Sequence, residues 1–81
     1  MRKIDKKHIV VTLNGFVFLG NISKQPKEII ITNCFNIRKW GTTKGLGEIA
    51  LSGPTKSTVL DKYGTVVVPI KSVIYTIDCL Y

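Results

Sequence analysis

The sequence is poor in the residues that metal and acid–base chemistry require. Its 81 residues hold two cysteines, Cys34 and Cys79, and one histidine, His8. Their spacing matches no zinc pattern, and one histidine cannot complete a ligand set with them. The acids number five: Asp5, Glu28, Glu48, Asp61 and Asp78. None forms a recognisable pair, and no acid stands beside His8 in sequence to orient it. Neither cysteine has a neighbour that would activate a thiolate. The Gly-x-x-x-x-Gly-Lys-Ser/Thr spacing of a nucleotide-hydrolysing P-loop is missing. Repeats, low-complexity tracts and linkers are missing too. These absences argue for a non-enzyme that carries no cofactor. No apolar run is long enough to span a bilayer. Arg2, Lys3, Lys6 and Lys7 precede an apolar stretch as in a secretory leader. Thr12, Asn14 and Gly15 break that stretch, however, and no small-residue cleavage site follows. A cytoplasmic protein with no membrane partner is expected.

What the chain does have is positive charge and β-branched residues. Lysine and arginine total 12 against the five acids, a net charge of +7. That excess favours an anionic partner: a nucleotide, a nucleic acid or an acidic surface. Apolar residues make up 44% of the chain, enough for an ordered fold. The length fits one small domain with a marginal core. Residues 1–7 read as a basic arm and residues 8–81 as a mostly β domain.

His8 to Leu13 reads as a strand. Asn14-Gly15 predicts a two-residue type I′ hairpin turn, and Phe16 to Leu19 returns. Gly20 marks a bend or bulge, after which Asn21 to Ser23 extends the strand. Lys24 to Lys27, with Pro26, is a turn. Glu28 to Arg38 is a long strand whose run Ile29–Ile31 reads as buried on both faces, and Asn33, Asn36 and Arg38 are expected to share one face. Asp61 to Gly64 reads as a turn between short strands. Thr65 to Val68 ends at Pro69, Ile70 to Ser72 suits one 3₁₀ turn, and Val73 to Leu80 is the closing strand. Cys34 and Cys79 lie in apolar segments and are expected to be buried free thiols.

The stretch 40–58 breaks this pattern. It contains the single tryptophan, several glycines and a dense set of hydroxyls and lysines. Leu46, Ile49 and Ala50 fall at helical spacing, with Thr42 or Thr43 as N-cap. Gly53 and Pro54 form the stop. Thr42, Thr43, Lys44 and Gly45 surround the predicted helix start, where free N–H groups attract anions. Thr55, Lys56, Ser57 and Thr58 form a second hydroxyl–lysine cluster beyond the stop. Arg38 and Trp40 at the entry suit stacking on a base, although Trp40 serves equally well as a core plug.

The order of elements resembles a small SH3-like barrel. Val11 to Ile22, Ile29 to Asn33 and Val66 to Ile77 are similar to the Sm-like version of it. The Sm-type RNA signatures, an Asp-x-x-Met-Asn segment and an Arg-Gly pair, do not occur. Trp40-Gly-Thr-Thr-Lys-Gly-Leu-Gly-Glu-Ile-Ala50 with Gly53-Pro-Thr55 is similar to a family of short phage-encoded proteins whose function is uncharacterised. This likeness implies a phage origin and an infected bacterial cell as the setting. Some small phage proteins sequester cyclic nucleotide or ADP-ribose-type immune signals between subunits, which makes an anti-defence sponge the first expectation. The apolar strands exceed what one small barrel buries, so a homo-oligomer is expected. Two alternatives remain open. One is an RNA- or DNA-binding module that uses Arg2, Lys3, Lys6 and Lys7. The other is an inhibitor that docks on an acidic host protein.

Overall fold

A computed structural model describes residues 7–81. Arg2, Lys3 and Lys6 of the basic arm lie outside the described residues. The elements run β1 (Lys7–Thr12), β2 (Val17–Lys24), β3 (Glu28–Lys39), α1 (Leu46–Ser52), β4 (Val59–Pro69), a 3₁₀ turn (Ile70–Ser72) and β5 (Val73–Asp78). All pairings are antiparallel, and the sheet order is β4-β3-β2-β1-β5. The fold is mostly β, a small barrel-like sheet with one short helix between its third and fourth strands. No helix among the described residues is long and apolar enough to cross a membrane.

Two apolar clusters lie on opposite faces of the sheet, and strand alternation sorts residues between them. Val10, Phe18, Ile29, Ile31, Cys34 and Val68 form one cluster. Ile9, Val17, Leu19, Ile37 and Cys79 form the other, together with Leu46, Ile49 and Ala50 of α1. Strands β1, β2 and β3 therefore contribute to both clusters. The run Ile29–Ile31 itself is buried on one face: Ile30 is only half-buried, whereas Ile29 and Ile31 are in the core. The helix takes up part of the apolar surplus that suggested an oligomer. A seven-residue helix is marginal alone, so this packing is what holds it.

The sheet curls because two strands carry extra residues at one level. Leu19 to Asn21 spans two steps of β2, while the partner stretch Thr32 to Phe35 spans three steps of β3. Cys34 to Phe35 is one step of β3, opposite the two steps from Gly64 to Lys62 on β4. Both are β-bulges, which bend the strand and raise its twist. Asn33 takes the strained position at φ 49°, and Gly64 sits at φ 87°. Gly20 completes the belt by close approach. A Cβ there would lie 2.7 Å from Ile31 Cγ2 and 2.8 Å from the Thr32 carbonyl oxygen.

Four sequence expectations change. The Asp61–Gly64 turn is the interior of β4, because the bulge at Gly64 kinks the strand without ending its pairing to β3. The hairpin has a three-residue loop, not a type I′ turn. The Gly15 N–H donates to Thr12 O and the Thr12 N–H to Phe16 O, with only Gly15 at positive φ in the loop. Asn33 faces a cavity with Leu19 and Phe35, a lining that includes neither Asn36 nor Arg38. The closing strand ends at Asp78; beyond it the Cys79 N–H donates to Lys7 O and the Leu80 N–H to Ala50 O. Both cysteines are buried free thiols in different clusters, and burial pushes the Cys34 thiol up to about 11.

The belt makes a contrast between two substitutions. Gly20→Ala should lose roughly 1–3 kcal/mol of stability through overpacking. Asn33→Gly should leave stability near wild type, since glycine accepts that backbone without steric cost. Urea denaturation of both variants measures the difference.

Candidate functional site

The insertion is built as a stapled loop around α1. The Trp40 carbonyl accepts a 2.7 Å hydrogen bond from Thr58 Oγ1, and the Gly41 carbonyl accepts one of 2.6 Å from Thr55 Oγ1. Thr58 Oγ1 also accepts from the Thr55 N–H at 2.9 Å, and Thr55 Oγ1 from the Ser57 N–H at 3.1 Å. Gly41, at φ 63°, lies so close to the Ser57 backbone that no Cβ fits between them. Entry and exit of the insertion are thus pinned together by two threonine hydroxyls and one backbone contact. Thr55 and Thr58 spend their hydroxyls on this staple, while Lys56 and Ser57 remain exposed.

The start of α1 also differs from expectation. The N-cap is Gly45, which has no side-chain cap, and not Thr42 or Thr43. Glu48, at the third helical position, reaches back instead. Its Oε1 accepts from the Lys44 N–H at 3.1 Å, the Thr43 N–H at 3.2 Å and Thr43 Oγ1 at 3.3 Å. A carboxylate at this position takes up donors that precede the helix, as in a capping box. Two of the N–H groups around the predicted helix start, those of Thr43 and Lys44, are therefore already engaged by an anion of the chain itself. Thr43, Lys44 and Glu48 line an open cleft of about 480 Å³ with Gly47, Leu51 and Ser52. Thr42 Oγ1 is buried with no hydrogen-bond partner among the described residues.

The remaining residues of the expected site are dispersed. The Trp40 ring lies near Gly45, with Cζ3 3.8 Å from where a Cβ would stand, and the residue is exposed and outside both core clusters. Arg38 points to β4, where Nε donates to Asp61 Oδ2 at 3.0 Å. His8 has an acidic partner that its sequence neighbours do not supply: Nε2 lies 2.9 Å from Asp78 Oδ1 across the β1–β5 pairing.

A larger cavity of about 520 Å³ opens at the bulge belt. Gly20, Asn21, Asn33 and Gly64 of the belt line it, with Leu19, Phe35 and Leu60 as apolar walls. Pro54 from the insertion, Tyr81 from the tail, and Lys7 and Lys62 complete it. Lys7 Nζ lies 5.0 Å from the Tyr81 ring centroid, a cation–π distance. Burial raises the Tyr81 phenol, with the neighbouring Cys79 adding to the effect, so the ring stays neutral. Among the described residues, the side chains of Asn21, Asn33 and Lys62 make no hydrogen bond or ion pair. They are free to meet a ligand. The volume falls within the ~300–1,000 Å³ range of small-molecule sites, which are apolar clefts with a few placed polar groups.

Of the residues named from the sequence as ligand- or nucleic-acid-binding, only Lys7 lines this cavity, and it does so as the first residue of β1. Sequence reading missed Asn21, Asn33, Phe35, Lys62 and Tyr81, which come from four separate segments joined by strand pairing. The one available signal was the pair of asparagines flanking a bend glycine and an apolar run. A scan against protein-family models finds no match, and a search of curated proteins finds none either.

The staple separates structural from ligand roles. Thr58→Val should destabilise the fold by about 0.5–1.5 kcal/mol, because it removes the hydrogen bonds to the Trp40 carbonyl and from the part-buried Thr55 N–H. Lys56→Ala and Ser57→Ala should stay within about 0.5 kcal/mol of wild type. Thermal or urea unfolding of the three variants checks this.

Proposed function

We propose that this protein binds a phosphate-bearing nucleotide without turning it over, in the cavity at the bulge belt. The observation that carries the reading is the set of free polar groups there. The Asn21 and Asn33 amides and the Lys62 ammonium, none with a partner among the described residues, line a cavity together with Lys7, Phe35 and Tyr81. Aromatic faces suit a base, ammonium groups suit a phosphate, and a net charge of +7 draws the anion in. The hydroxyl clusters of the insertion hold the loop in shape, and through Pro54 they set one wall of the cavity.

Self-association is part of the proposal. Strands β4 and β5 end the sheet order, and Val67, Ile70, Ile74 and Tyr75 near them are exposed. Exposed edges and apolar surface of this kind favour pairing with another copy. With the likeness of residues 40–55 to phage-encoded proteins, this supports a cytoplasmic phage anti-defence sponge for a cyclic nucleotide or ADP-ribose-type signal. A second reading rests on a different observation. Phe16 stacks on Phe18 at 5.9 Å, and Phe18 meets Tyr63 at 6.0 Å, leaving two exposed aromatics on one side of the barrel. Such a row suits single-stranded RNA or DNA, with the basic arm holding phosphates.

Titration calorimetry of the folded chain against cyclic di- and trinucleotides, ADP-ribose derivatives and a single-stranded oligonucleotide discriminates the two. Saturable binding of a nucleotide that survives moderate salt is the expected result. Binding of the oligonucleotide alone, falling steeply with salt, would favour the second reading. Binding of none would overturn both.

A further inference from the structure

The outer edge of β5 combines low charge with exposed apolar side chains. The 12 lysines and arginines end at Lys71, and Asp78 is the sole charged side chain from Ser72 to Tyr81. Ile74 and Tyr75 are nevertheless 52% and 51% exposed. Leu80, also exposed, follows the strand where its N–H meets the Ala50 carbonyl of α1. Two copies of a chain with net charge +7 repel each other, and a segment without lysine is where they approach at least cost.

The backbone of β5 suits a second copy of itself. The Cys79 N–H donates to Lys7 O, and β5 pairs with β1 in regular register from Asp78 to Tyr75. Bonded and non-bonded pairs alternate along an antiparallel ladder. The polar groups of Ile77 and Tyr75 therefore turn toward β1, and those of Thr76 and Asp78 point outward. The one irregularity, an extra residue at Ile74 opposite Val11 and Thr12, lies at the start of the strand. The other edge, β4, is guarded: Lys62 is exposed in it, the bulge at Gly64 kinks it, and Pro69 ends it without an N–H.

We infer that two copies join edge to edge through β5, antiparallel about a twofold axis at Thr76. One surface then serves both partners, and the assembly closes as a dimer. Thr76 faces its own counterpart across the axis. Tyr75 of each copy stands opposite Ile77 of the other, an aromatic–β-branched pair of the kind that stabilises antiparallel strands. This rests on the self-association in the reading above and names its surface. The bulge-belt cavity draws no lining residue from Val73 to Asp78, so the dimer forms without a nucleotide and carries two cavities.

The test is sedimentation equilibrium of the full chain with no nucleotide present. A mass twice that of the 9.0 kDa chain is the expected result. Tyr75→Lys sets like charges near the axis and should halve that mass, with the circular dichroism unchanged. Thr76→Pro removes an outward N–H and should do the same; Tyr75→Lys carries the test where the proline variant misfolds. Thr76→Cys should form a disulfide between copies on oxidation, since the Cα atoms of a bonded antiparallel pair lie about 5.5 Å apart. Thr65→Cys in β4 should form none. A monomer at every concentration would overturn the inference and the self-association with it, and leave the nucleotide cavity to the calorimetry. An assembly that keeps its mass in Tyr75→Lys, that crosslinks through Thr65→Cys, or that fails to crosslink through Thr76→Cys would overturn the β5 interface and leave self-association standing.

Discussion

The bend in the sheet is the constraint on which the rest of this structure depends. A flat five-stranded sheet with these sequences would place two apolar faces in water and could cover only one of them with a seven-residue helix. The extra residues at Asn33 and Gly64 fold the sheet toward itself, so that Val10, Phe18, Ile29, Ile31, Cys34 and Val68 meet in one cluster. Gly20 lets β2 and β3 approach at the same level, where a single methyl group would collide with Ile31 and the Thr32 carbonyl. The conformation of Asn33 costs energy, as left-handed backbone does for most residues, although asparagine tolerates it better than others. Burial on both sides of the bend offsets that cost.

The same bend opens a cavity where the strands diverge, which ties the proposed site to the fold. Polar side chains in the belt cannot all find partners within the sheet, because the ladder is interrupted there. Asn21 and Asn33 are left facing the cavity. The insertion and the tail then finish the walls. The threonine staple fixes where Pro54 stands, and the hydrogen bond from Leu80 to Ala50 fixes the approach to Tyr81. Glu48 settles the charge pattern on the other side of α1 by taking the donors of Thr43 and Lys44. Those two donors face a carboxylate, whereas the Asn21 and Asn33 amides have no partner among the described residues.

Much of the fold was legible because it follows from local periodicity. Apolar, β-branched segments placed β1, β3 and β5, the Leu46–Ile49–Ala50 spacing placed α1, and Pro69 placed the 3₁₀ turn. What was not legible was non-local. A bulge at Asn33 leaves no mark in an apolar strand, and Gly64 reads as a turn until its partner strand is known. For the candidate site the lesson is sharper. Hydroxyls, lysines and glycines crowded into 40–58 look like a phosphate cradle, yet a short loop must first satisfy its own backbone, and Thr55, Thr58 and Glu48 are spent on that. Glu48 stands three residues past Gly45, where an acid caps, and that spacing was the available sign. Lys7, Lys62 and Tyr81 are far apart in sequence, and only the sheet order brings them to one opening.

The central claim is that the ligand sits at the bulge belt and not at the insertion, and backbone amide NMR tests it most directly. In a titration of the labelled protein with AMP, the account predicts saturable shifts of the amides of Gly20, Asn21, Asn33 and Gly64, with those of Thr43, Lys44, Lys56 and Ser57 nearly still. Shifts concentrated at Thr43, Lys44, Lys56 and Ser57, with the belt unmoved, would contradict it.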